Sequence, residues 1–447
     1  MKAIRFLALA AVAVSLTVSQ SVEASQVSLS VEMSNPLLPA QKKQSTFLKV
    51  GLTGFKMNKS AARAPVNIAI VLDKSGSMQG SKIEEARRGA IEAVKRLGPN
   101  DIVSVITYDS TVQVLVPATK LTDKAAVCQK ISQIKAGGRT ALFAGVSKGA
   151  AEIRKFLDKE RVNRVVLLSD GKANIGASSP SELGNLGASL KKENITVSTM
   201  GLGLDYNEDL MLKLASRSGG NHIFVEDAEQ LADIFNEEFK TVLSVVAQEV
   251  SVQIDVAKNV RPVRVLGREA EINGQQVIAQ ISQIYSEQEK FVVLEVEVPA
   301  TAAGKPTQVA NVSVSYDNLL TKATDRLAGT ASVNFSKDVK QIATRVNRKV
   351  LETSILLLAN ERSKMATALF DKGDKAAALK CLNENALYLD KYANELNSRE
   401  LSAYQAFTVR QALDLNRDGN IYRKRAQSQV GKIEGQRGYD LNPKPKR

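Results

Sequence analysis

Between residues 66 and 245 the chain alternates nearly unbroken apolar runs, Asn67–Asp73, Ile102–Tyr108, Val165–Ser169, Val197–Leu202 and His222–Val225, with amphipathic stretches such as Ser81–Leu97. A strand that is apolar along its whole length must be covered on both faces, and interleaved helices provide that cover. The pattern therefore predicts an α/β unit with a doubly wound, mostly parallel, Rossmann-like sheet. Ligands of such sheets bind beyond the carboxyl ends of the strands, so the residues that follow each run carry the functional information.

The first run, Val66 to Leu72, delivers Asp73-Lys74-Ser75-Gly76-Ser77-Met78. Asp73 offers a hard carboxylate, and Ser75 and Ser77 offer small hydroxyls. This oxygen-only set suits Mg²⁺, which favours octahedral geometry and keeps several waters. Taken alone, the loop reads equally well as a turn, because Asp, Ser and Gly are the usual turn formers. Ser81 and Glu84 have the spacing of a capping box, which would start a helix just after the loop.

These residues resemble the von Willebrand factor type A (VWA) domain, whose metal-ion-dependent adhesion site reads D-x-S-x-S, then a distant Thr and a distant Asp. Asp73, Ser75 and Ser77 match the first element, Thr140 in Gly137-Gly138-Arg139-Thr140-Ala141 the second, and Asp170 after Val165–Ser169 the third. Arg139, between the glycine pair and Thr140, departs from the family spacing. The resemblance implies that Ser75, Ser77 and Thr140 contact a divalent cation, Mg²⁺ with Mn²⁺ or Ca²⁺ as alternatives, while Asp73 and Asp170 act directly or through water. It also implies an open metal position that a partner's carboxylate completes.

The flanks have a different rhythm. Residues 25–63 alternate in strand fashion around Asn35-Pro36, and from Gln248 to Phe335 period-two patterning (Val250, Val252, Ile254; Val293, Glu295, Val296; Val312, Val314, Tyr316) with turns such as Asn273-Gly274 indicates a β-sandwich. The later stretch has too few strands to close alone, so the α/β unit is expected to be inserted into a sandwich completed by the N-terminal strands. Bacterial VWA proteins similar to inter-alpha-trypsin inhibitor heavy chains or calcium-activated chloride channel regulators share that arrangement. From Lys337 to Leu413 helical spacing returns (Val339, Ile342, Val346, Val350; Ala378, Leu382, Leu389), broken at Asp371-Lys372-Gly373-Asp374. One tetratricopeptide-like hairpin cannot make a solenoid, so this region is expected to be a helical cap.

The expected organisation is a signal peptide over 1–24, N-terminal sandwich strands over 25–63, the α/β unit over 64–246, the remaining sandwich over 247–336, helices over 337–413 and a basic, disordered tail over 414–447. The signal peptide is read from Lys2 and Arg5, the apolar run Phe6 to Val18 and the small-residue site Val22-Glu23-Ala24. It predicts a soluble exported chain, periplasmic or extracellular, beginning at Ser25. Cys128 and Cys381 are too few for a disulfide framework, leaving either one bridge or two free thiols.

The net charge of +14 is concentrated partly in the tail, where Arg423, Lys424, Arg425, Lys432, Arg437, Lys444, Lys446 and Arg447 face only Glu434 and Asp440. With few interleaved aromatics this is no nucleic-acid platform, and weak attraction to an anionic envelope surface is the better expectation. Asp414-Leu415-Asn416-Arg417-Asp418-Gly419 opens like an EF-hand calcium loop, but Arg425 stands at the twelfth place, where calcium needs a carboxylate. Gly201-Leu202-Gly203 lacks the third glycine of a dinucleotide fingerprint, and His222 is the only histidine. The expected function is a metal-dependent adhesion or assembly module, not an enzyme, whose partner is a protein supplying an acidic residue. The alternatives are envelope assembly, or a scaffold within an enzyme or inhibitor-like protein.

Overall fold

The computed structural model describes residues 26–57 and 63–436. The expected signal peptide lies outside the described residues, as does the chain after Gln436. Strands β1 (Val27–Met33), β2 (Leu37–Pro39) and β3 (Gln44–Gly54) come first. The α/β unit follows as β4 (Val66–Asp73), α1 (Ser81–Arg96), β5 (Ile102–Tyr108), β6 (Val112–Lys120), α2 (Lys124–Ser132), α3 (Leu142–Arg154), β7 (Val162–Ser169), α4 (Pro180–Lys192), β8 (Ile195–Leu202), α5 (Glu208–Ser218), β9 (His222–Val225) and α6 (Leu231–Val242). Its sheet runs β6-β5-β4-β7-β8-β9, with only β6 antiparallel.

All of β4 is buried, and its side chains divide by parity. Ile68, Ile70 and Leu72 pack with Ala86, Ala90 and Val94 of α1 and Phe235 and Phe239 of α6. Ala69 and Val71 pack with Val146 and Ile153 of α3 and Leu210 and Leu214 of α5. A Cβ at Gly149 would stand 2.6 Å from Val71 Cγ2, so α3 reaches its depth only because that position carries no side chain. The chain leaves β4 toward β5 and later returns to its other side at β7. The carboxyl ends of β4 and β7 thus form a topological switch point, where a crevice opens.

The sandwich takes strands from both sides of this unit: β10 (Val245–Val256), β11 (Arg261–Leu266), β12 (Glu271–Asn273), β13 (Gln276–Tyr285), β14 (Glu289–Val298), β15 (Thr307–Asn318) and β16 (Thr324–Ser336). Its sheets are ordered β1-β3-β14-β11 and β12-β13-β10-β15-β16-β2. β3 pairs antiparallel with β14 from Gln44↔Val298 to Thr53↔Glu289, so residues far apart in sequence share one sheet and the α/β unit is an insertion. Leu48, Val50 and Leu52 of β3 close the core with Val250, Val252 and Ile254 of β10 and Val292 and Leu294 of β14. The alternate residues Phe291 and Val293 face outward under helices, which is why β14 is apolar at consecutive positions.

Those helices follow a short α7 (Val339–Thr344) and are α8 (Arg348–Asp371), α9 (Lys375–Leu396), α10 (Arg399–Arg417) and α11 (Gly419–Glu434). The break expected at Asp371–Asp374 is present: Gly373 has φ +85°, and the Asp374 side chain caps α9 by accepting from Ala377 N at 2.9 Å. Among the described residues no helix is long and apolar enough to cross a membrane.

Two local expectations are corrected. The stretch after residue 413 is not a disordered tail as far as Gln436. The end of α10 and all of α11 are helical, with Tyr422, Ala426, Val430 and Ile433 buried. Its cations are matched to carboxylates on other elements: Arg423 donates to Asp371 at 2.7 Å and also to Glu208 and Asp209, Lys424 to Glu208 at 2.7 Å, and Arg425 to Glu226 at 2.9 Å. A basic segment that finds such partners is ordered by them, and composition alone could not show that they exist. The second correction concerns Ser81 and Glu84, which form no capping box. Gly80, at φ +75°, occupies the cap position and Ser81 falls into the first turn. The box forms instead at Ser179 and Glu182, at the start of α4.

Candidate metal centre

Asp73 ends β4, and Asp170 directly follows β7, the neighbouring strand. Both carboxylates are fully buried, and Ser75 and Thr140 are nearly so, whereas Ser77 is exposed. Asp73 Oδ1 accepts from Ser75 N at 2.8 Å, Ser75 Oγ and Ser77 Oγ lie 3.1 Å apart, and Ser77 Oγ donates to Asp170 Oδ1 at 2.6 Å. A Cβ built on Gly171 would meet Thr140 Oγ1 at 3.3 Å and Ser77 Oγ at 3.5 Å, so these two hydroxyls border the same small space beside Gly171. The structure brings together all five residues singled out in the sequence, with four walls buried and the Ser77 side facing solvent.

Backbone bonds fix the loops against one another. Gly76 N donates to Gly138 O at 2.9 Å, Gly137 N to Lys74 O at 2.7 Å, and Ala141 N to Asp109 O at 2.8 Å. Asn174 clamps Thr140 from the far side, its Oδ1 accepting from Thr140 N at 2.9 Å while its own N donates to Thr140 O at 3.1 Å. Gly138, at φ +84°, lets the loop turn back beside Asp109. The Arg139 insertion is therefore absorbed by an outward-facing residue, and Thr140 still points to the site.

Electrostatics distinguish the two carboxylates. Asp170 pairs with Lys82 of α1 through Oδ2. Asp73 has hydrogen-bond donors but no cation among the described residues. Burial pushes its pKa from the ordinary 3.8 to about 6, against the lowering effect of hydrogen bonds from Ser169 and Ser75, and the Asp170 charge adds to the rise. A fully buried carboxylate held ready by donors, beside a second one and three hydroxyls, fits a hard divalent cation, which would offset the desolvation cost that Asp73 bears alone.

Sequence reasoning missed several supporting residues. Ser169 Oγ donates to Asp73 Oδ2 at 2.6 Å. Its signal was available, since β7 lies beside β4 in parallel register with Leu168 opposite Leu72, which sets Ser169 next to Asp73. Lys82, Asn174 and the Lys74–Asp109 ion pair had no comparable signal, because they approach from separate loops and a helix.

Other patterns resolve into packing. His222 is buried, with Thr199 Oγ1 2.9 Å from Nδ1 and Tyr206 OH 3.3 Å from Nε2. A Cβ at Gly201 would stand 2.2 Å from the Tyr206 ring, which accounts for that glycine without any nucleotide. Asp414 accepts from Arg425 at 2.8 Å, and Asp418 caps α11 by accepting from Asn420 N at 2.8 Å, so the EF-hand-like opening is a helix corner. Cys128 and Cys381 are both free.

A parallel sheet with an oxygen-lined site at its switch point defines the class. Residues 67–237 match the family model of the von Willebrand factor type A domain, and this part of the chain is a VWA domain. Over 337 residues the chain is 26% identical to an uncharacterised protein of Synechocystis sp., a match covering 72% of this chain and 78% of that one. It is also 30% identical over 197 residues to inter alpha-trypsin inhibitor heavy chain 4 of Mus musculus, covering 41% of this chain but only 21% of the mouse chain. In fold it is similar to a von Willebrand factor type A protein from Catenulispora acidiphila, with a TM-score of 0.67 at 17% identity, covering 84% of this chain and 89% of that one. Domains of this family are generally interaction or adhesion modules without catalysis, and often hold a divalent metal.

Proposed function

We propose that this chain is an exported, divalent-metal-dependent protein-interaction module, acting in adhesion or assembly in the periplasm or outside the cell. Ser75, Ser77 and Thr140 hold Mg²⁺, with Mn²⁺ or Ca²⁺ as substitutes, and Asp73 and Asp170 anchor it directly or through water. The cation supplies a Lewis-acidic position that a partner's carboxylate completes. The observation that carries this reading is Asp73, fully buried, hydrogen-bonded at both oxygens and without a cation of its own. Neutral hydroxyls make up most of the set, so a bound cation retains positive charge toward an acidic partner. The cations of Arg423, Lys424 and Arg425 are committed to internal ion pairs, so any attraction to an anionic envelope surface falls to other basic residues.

Isothermal titration with Mg²⁺ tests the metal: one binding event is expected, lost in Asp73→Ala. A pull-down from exported extract with Mg²⁺ and with chelator tests the interaction. Unchanged Mg²⁺ binding in the variant, or a partner retained equally in chelator, overturns the reading.

A further inference from the structure

The loops that carry the metal residues also carry cations, and these divide into two kinds. Lys74 is paired with Asp109 and Lys82 with Asp170, both inside the site. Arg139 and Lys172 are exposed, and neither side chain has a hydrogen bond or ion pair among the described residues. Most arginines elsewhere in the protein are engaged: Arg154 with Glu193, Arg164 with Glu238, Arg261 with Glu297, and Arg423 with three carboxylates. Arg139 directly precedes Thr140, and Lys172 follows Asp170 after only Gly171. The backbone of Arg139 is pinned by Ser110 Oγ, which accepts from Arg139 N at 2.9 Å, so the side chain extends from a fixed base at the rim.

Resting on the metal reading above, we propose that the rim selects an acidic peptide carrying at least two carboxylates, one completing the metal and the next held by Arg139 and Lys172. A divalent cation together with Lys82, which pairs with Asp170, outweighs the charges of Asp73 and Asp170, and Arg139 and Lys172 add to the positive charge that faces the ligand. Spacing favours a peptide. Consecutive Cα atoms are about 3.8 Å apart, so Arg139 is anchored close beside a metal-facing residue. Carboxylates two residues apart on an extended chain fall on one side about 7 Å from each other, within the reach of a flexible arginine or lysine. A ligand with a single carboxylate would use the metal and leave both rim cations idle.

The test uses the full chain and fluorescently labelled peptides with one Glu, or with Glu at alternating positions, in an uncharged background. Binding of both peptides should require Mg²⁺. The multiply acidic peptide should bind about five- to twentyfold tighter at low salt, the combined effect of two exposed ion pairs, and lose most of that gain at about 0.5 M salt, where screening is short-ranged. Arg139→Gln with Lys172→Gln should erase the gain while leaving the Mg²⁺ isotherm and the single-Glu affinity unchanged. An intact Mg²⁺ isotherm with no gain for the multiply acidic peptide, or a gain that survives the double substitution, overturns this inference and leaves the metal reading standing. A uronic-acid oligosaccharide binding tighter than the peptide overturns the peptide assignment. A flat Mg²⁺ isotherm removes the metal reading, and this inference with it.

Discussion

Replacing Asp73 by Asn should make the metal-free protein more stable while abolishing its response to metal. Burial raises the Asp73 pKa from 3.8 to about 6. Below the lower value both the folded and unfolded states are protonated, and the shift has no effect. Between the two values the unfolded chain ionises while the folded one keeps its proton, so stability falls as pH rises, and above about 6 the full penalty is present. A shift of about two pH units corresponds to about 3 kcal/mol. Asn cannot reproduce both accepted hydrogen bonds, which returns about 1 kcal/mol. The net gain is about 2 kcal/mol near pH 7.5, or about 4–8 °C in the melting of a unit of this size.

Calorimetric melts in chelator should therefore show Asp73→Asn above the wild type near pH 7.5, with the difference shrinking and then reversing toward about pH 4, where the wild type also carries a proton and only the weaker hydrogen bonding of Asn remains. With Mg²⁺ at about a hundred times its Kd the wild type should gain about 2.7 kcal/mol and the variant nothing. A variant less stable than wild type in chelator near pH 7.5, or a stability difference between the two proteins that does not grow from about pH 4 to 6, would refute the account of Asp73 as a carboxylate awaiting a cation.

Ser169→Ala removes the donor to Asp73 Oδ2 and should weaken Mg²⁺ binding about tenfold by titration calorimetry, because the carboxylate loses its orientation. Gly149→Val drives a side chain toward Val71, 2.6 Å from the glycine's Cβ position, and should cost about 1–3 kcal/mol in denaturant melts; an unchanged midpoint would show that α3 is free to shift. Arg423→Ala should cost about 2 kcal/mol at the contact of α11 with α5, seen as faster hydrogen exchange over Gly419–Glu434, with no change in Mg²⁺ affinity. Removing residues up to Lys56 takes away β1, β2 and β3, exposing the edges of β14 and β16, and should produce aggregation; a remainder that stays monomeric and melts cooperatively would contradict the role of these strands.

The α/β unit and the convergence of the loops that carry Asp73, Ser75, Ser77, Thr140 and Asp170 were legible in the sequence because their determinants are local. The unbroken apolar strand of Val66–Leu72 demands cover on both faces, and the first residues past a strand end in such a sheet face its binding edge. The insertion into a sandwich was legible too, through period-two patterning on both sides of a segment patterned otherwise. What the tertiary structure alone decided depends on groups from distant elements meeting. Asp73 acquires its raised pKa only because the packed fold excludes water and β7 sets the Asp170 charge close by, which together outweigh the lowering by hydrogen bonds from Ser169 and Ser75. The basic residues of α11 read as solvated charge until Glu208, Asp209, Glu226 and Asp371 arrive from other elements to pair with them. A run of residues fixes its own periodicity and hydrophobic face, whereas the charge state of a buried carboxylate and the order of a basic helix are set by partners that only the folded chain brings within a few ångströms.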